Sequence, residues 1–87
     1  MRQFIDFKKM YDAGIVGLKN TGGEILEDRY YREKDVMEGD YSNPIHTGKC
    51  ELKEVKPMAQ DQFIICFVNG DMLIMTKDEY KAGLVKE

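Results

Sequence analysis

Two apolar runs lie close together in the second half of the chain. They are Phe63-Ile64-Ile65-Cys66-Phe67-Val68 and Met72-Leu73-Ile74-Met75-Thr76, with Asn69-Gly70-Asp71 between them. Asn-Gly between apolar runs is the strongest short-range hairpin signal, because a type I′ turn needs φ > 0 at both central residues. A two-residue turn at Asn69-Gly70 opposes Val68 to Asp71, and so sets Cys66 opposite Leu73 and Ile64 opposite Met75. One hairpin face then carries Ile64, Cys66, Val68, Leu73 and Met75, and the other Phe63, Ile65, Phe67, Met72 and Ile74. Both faces are apolar, so both need cover: the terminal helices for one, and the first half of the chain, a second subunit or a partner for the other.

The flanking patterns are weaker. Thr76 followed three residues later by Glu79 is a capping box, which predicts a closing helix over Lys77–Val85 with Tyr80 and Leu84 on one stripe. At the other end, Phe4, Phe7, Met10 and Tyr11 recur at helical spacing, and Gly14 stops the pattern. This predicts a helix over Arg2–Ala13, with a strand at Gln3–Phe7 as the alternative. Ile15–Lys19 reads as a strand, Asn20-Thr21-Gly22-Gly23 as a turn, and Glu24–Arg32 as a second strand completing that hairpin. A helix over the latter segment is the competing reading, with Leu26, Tyr30, Glu33 and Met37 one above another. Gly39–Pro44 is loop. Glu51–Lys56 is a largely polar strand, expected near a sheet edge and ended by Pro57.

The predicted fold is α+β. A single compact domain over 1–87 would hold a mainly antiparallel sheet of about four or five strands, an N-terminal helix and a short C-terminal helix. Length supports one modest core, and 43% hydrophobic with 33% charged residues is ordinary globular composition. The longest apolar run is too short to span a bilayer and no signal-peptide pattern opens the sequence, so the expected location is cytoplasmic and the cysteines are expected to be reduced.

Net charge is −3, which argues against direct binding of nucleic acid. Residues 24–40 carry seven acidic and three basic side chains, more negative than the whole protein. Glu24, Glu27, Asp28, Glu33, Asp35, Glu38 and Asp40 are thus candidate contacts for a partner with a basic surface, against the plainer reading of a solvated face.

Candidate chemistry is sparse. His46, the one histidine, stands four residues before Cys50, and Cys66 lies on the apolar hairpin. Imidazole and thiolate are favoured zinc ligands, so His46, Cys50 and Cys66 form a candidate structural zinc site, with Asp40 nearby in sequence as a possible fourth ligand. The plainer reading makes Cys66 a core residue, Cys50 a strand residue and His46 a solvated loop group. No H-E-x-x-H, phosphate-binding glycine loop or cysteine-nucleophile signature is present.

In general character the chain resembles small phage-encoded inhibitors, the anti-CRISPR kind among them. The likeness lies in its small size, acidic segment, surplus apolar face and lack of catalytic motifs, and no residue roles are carried over by it. The resemblance implies a non-enzymatic protein that inhibits or regulates a larger partner, such as a nucleic-acid-guided nuclease with a basic surface. The alternatives are a small metal-dependent enzyme using His46 and the cysteines, and a homodimeric assembly subunit that buries its apolar hairpin face.

Overall fold

The computed structural model describes residues 1–87. The apolar hairpin forms as β6 (Gln62–Phe67) and β7 (Met72–Thr76), one residue out of the expected register. Ile65 faces Leu73 and Cys66 faces Met72. The reason is in the turn: Gly70 takes φ +95°, whereas Asn69 stays out of the left-handed region, so a type I′ turn is not made. Instead Phe67 N–H donates to the Asp71 carbonyl at 2.9 Å, closing a three-residue loop, and Asn69 Oδ1 accepts from Asp71 N–H at 3.0 Å. Asn69 thus serves through its side chain rather than through left-handed backbone. Because strand side chains alternate, the shift moves every β7 residue to the opposite face from that expected. Phe63, Ile65, Phe67, Leu73 and Met75 now point to the core, and Ile64, Cys66, Met72 and Ile74 point away from it.

The remaining elements are β1 (Gln3–Asp6), α1 (Phe7–Asp12), β2 (Glu24–Leu26), β3 (Arg29–Tyr31), α2 (Glu33–Glu38), β4 (His46–Thr47), β5 (Lys49–Pro57), α3 (Lys77–Gly83) and β8 (Leu84–Lys86). They make a five-stranded antiparallel sheet, order β7-β6-β5-β1-β8, and a three-stranded antiparallel sheet, order β2-β3-β4. The fold is α+β, as expected from the pattern. One core joins the two sheets, since Ile25 and Tyr30 of the small sheet share a buried cluster with Ile5, Leu52, Ile65 and Phe67 of the large one. Phe7 and Met10 of α1 complete it.

Several expectations are corrected. The N-terminal helix begins only at Phe7, because Gln3–Asp6 forms a strand lying between β5 and β8. Asp6 ends that strand and caps the helix, its carboxylate accepting from Lys8 and Lys9 N–H. The closing helix stops at Gly83, and Leu84–Lys86 returns as a strand beside β1. Its capping box is present as predicted, with Thr76 and Glu79 bonding each other's backbone. Glu24–Tyr31 folds on itself through Glu27-Asp28 as β2 and β3, instead of running as one strand. Residues 15–19 contribute a single bridge, Gly17 to Glu24, and Glu33–Glu38 is helical.

Polar β5 lies at the centre of the large sheet and not near its edge. Its inward side chains are Cys50, Leu52 and Val55, while Lys53, Glu54 and Lys56 are exposed on the outer face. Leu52 and Val55 are an odd number of residues apart yet share a face, because the register shifts between Leu52 and Glu54. The adjacent Lys53-Glu54 pair is taken up by this irregularity.

Candidate functional site

His46 is drawn inward by its strand. In β4 it pairs with Tyr30, and the alternation of the strand turns the imidazole into the core while Thr47 is exposed. The ring stacks on Phe7 (centroids 5.5 Å apart, 10° between planes) and on Tyr30, and tilts against Phe67 at 4.9 Å. It is 4% exposed, and so not the solvated loop group of the plainer sequence reading. Its two nitrogens face different neighbours. Nδ1 lies 3.7 Å from Cys50 Sγ, while Nε2 has no hydrogen-bond partner and lies 4.0 Å from Asp71 Oδ2 on the hairpin loop.

Burial holds the His46 imidazole below its ordinary pKa, opposed by the Asp71 carboxylate. Burial also pushes the Cys50 thiol up, partly offset by a backbone hydrogen bond at Thr47 and reinforced by the Asp71 and Asp6 carboxylates. Both effects favour a neutral ring against a protonated thiol.

The three residues of the candidate zinc site are not assembled. His46 and Cys50 meet, but Cys66 projects from the other face of the large sheet, beside Glu54 across the strand pair. Asp40 accepts from both the backbone N–H and the hydroxyl of Ser42, which holds its carboxyl below the ordinary value. No three histidine, cysteine or carboxylate side chains converge on a point that would hold a metal ion.

The acidic segment is divided by the fold. Glu27 and Asp28 occupy the β2–β3 turn, where Glu27 takes φ +59° and the two acids share a polar hollow with Asp6, Lys8 and Lys49. Asp28 lies 3.8 Å from Arg29, and Asp35 3.9 Å from Arg32. Glu24, on β2, and Glu33, opening α2, line a separate groove of about 470 Å³. Glu38 ends α2 and Asp40 follows its left-handed Gly39 cap. The groove also recruits Val16, Val36 and Met37, none of them among the site residues expected from the sequence. The available signal was Val36-Met37, an apolar pair inside an otherwise charged helix.

The chain matches no family model, no curated protein and no solved structure. Function therefore rests on geometry and charge alone. No helix is long and apolar enough to cross a membrane.

Proposed function

We propose that this protein is a non-enzymatic binding protein that docks its acidic side onto a basic surface of a larger protein and thereby inhibits or regulates it. The observation that carries the reading is the state of the acids between residues 24 and 40. Glu24, Glu33, Glu38 and Asp40 are exposed and form no ion pair, although lysines and arginines are plentiful elsewhere in the chain. Exposed acids left without an ion-pair partner favour a cationic partner and speed its approach. A nuclease that holds its guide and target in a basic groove has the matching charge, and a domain of this size would act there by covering the lysines and arginines that grip phosphate.

The test is inhibition of cleavage by nucleic-acid-guided nucleases, with wild type compared against a variant carrying Glu24→Lys, Glu33→Lys and Glu38→Lys. Inhibition by wild type that is lost in the variant supports the reading. A variant that inhibits as well as wild type refutes the acidic surface as the contact, and a wild type inert against every such enzyme refutes this class of partner.

A second reading is favoured by the outward face of the hairpin. Ile64, Cys66 and Ile74 lie there beside Met72, which is 65% exposed, and a homodimer would cover them. Native mass spectrometry separates the two, since a monomer at micromolar concentration removes the dimer.

A further inference from the structure

Glu24 and Glu33 flank a groove that no lysine or arginine lines. Its rim holds two large apolar side chains in water, Val16 at 60% and Met37 at 80% exposure. Gly17, Gly22 and Gly23 line it as well. Gly22 takes φ +78°, and a Cβ there would stand 3.1 Å from the Glu33 carboxylate. A Cβ on Gly23 would collide with the buried Tyr30 hydroxyl. Left-handed backbone disfavours a side chain at Gly22, and the buried Tyr30 behind Gly23 excludes one there, so the loop presents main chain where it lines the groove.

Two chemistries therefore meet in one place. Uncompensated carboxylates ask for a cation, and exposed Val16 and Met37 ask for an aliphatic surface. Lysine and arginine satisfy both with one side chain, laying an apolar stem along the walls while the charged head reaches the acids. Methionine suits such a wall, because its unbranched, polarisable side chain adapts to whatever stem arrives.

We propose that this groove is the seat for a basic segment of a protein partner, taking one lysine or arginine between Glu24 and Glu33 with a neighbouring aliphatic side chain against Val16 and Met37. The proposal rests on the binding reading above and narrows it to one part of the acidic side. Glu27 and Asp28 are excluded from the seat, because they lie in a different hollow with Lys8 and Lys49 close to them.

Amide and methionine-methyl NMR of the isotope-labelled protein tests this with three synthetic peptides of equal length: alternating lysine and leucine, all lysine, and alternating glutamate and leucine. The lysine–leucine peptide is expected to shift Val16, Gly22, Glu24, Glu33 and the Met37 methyl, and the glutamate–leucine peptide to shift nothing. Glu24→Gln with Glu33→Gln should weaken binding about tenfold or more, and Glu27→Gln with Asp28→Asn should leave it unchanged. Met37→Ala should weaken the lysine–leucine peptide selectively. Both glutamates are exposed, and unshifted resonances from the core report that the variants remain folded.

If both lysine peptides bind equally and shift residues throughout 24–40, the groove is not the seat, although the acidic-side reading survives. If neither binds, both readings are overturned.

Discussion

The hydroxyl of Thr21 bonds both main-chain polar groups of Ile74, donating to its carbonyl at 2.9 Å and accepting from its N–H at 3.2 Å. Ile74 lies in β7, the edge strand of the large sheet, so a side chain from a distant turn occupies donor and acceptor sites that another strand would otherwise take. Exposed edges are where sheets from two molecules join, and one well-placed hydroxyl blunts this one at its middle.

Removing that hydroxyl should therefore have two effects. Thr21→Val is expected to cost roughly 1–2 kcal/mol, from two lost hydrogen bonds to backbone groups that water can still reach in part. It should also promote self-association through β7. Urea unfolding and size-exclusion chromatography check the two effects, with Thr21→Ser as the control that keeps the hydroxyl. A valine variant as stable and as monodisperse as the serine variant would show that the contact does not protect the edge.

Acidification should weaken the fold through His46. The buried ring has a pKa below its ordinary 6.5, so in the unfolded chain it takes up a proton that the folded chain refuses. More protons bound in the unfolded state means that stability falls as pH falls. The His46 contribution is thus fully present above pH 6.5, declines below that value, and stops declining once pH passes the folded pKa. The carboxylates whose pKa is lowered by partners, Asp40 and Glu51, act in a separate and more acidic window, below their ordinary values. Unfolding free energies measured from pH 7.5 to 5 should slope downward for wild type. They should flatten in His46→Phe, which keeps an aromatic ring against Phe7 and Tyr30. Equal slopes in the two proteins would place the buried proton acceptor elsewhere.

Gly83 offers a test of sign. It ends α3, and a Cβ there would stand 2.6 Å from Met10 Cγ and 3.3 Å from Ile5 Cγ2. Helix propensity alone predicts that Gly83→Ala stabilises by up to about 1 kcal/mol. Close packing of α3 against α1 and β1 predicts the reverse, a loss of roughly 1–3 kcal/mol from overpacking. The structure favours loss, and thermal unfolding of the single variant decides between the two.

Read alone, the sequence determined those features in which neighbouring residues supply both the signal and its partner. The central hairpin, the Thr76–Glu79 capping box and the loop after Gly39 belong here, as do the α+β class and the acidic character of residues 24–40. What it did not carry was everything set by contacts between distant segments. Gln3–Asp6 was legible only as the alternative strand at Gln3–Phe7, and what decides for it is β5 and β8 standing on either side. β5 looked like an edge because its polar residues were read without knowing that one face of the large sheet is open to solvent. The hairpin register turned on whether Asn69 used its backbone or its side chain, a local choice that reverses the faces of β7. The candidate site divided in the same way. His46 and Cys50, close in sequence, meet in space, whereas Cys66 was assigned to the site by residue type and the pleat points it the other way. The acids were legible as a composition. Their separation into a hollow shared with Lys8 and Lys49 and a groove walled by Val16 and Met37 was decided by the tertiary structure, because it depends on where α2 and the 16–23 loop come to rest.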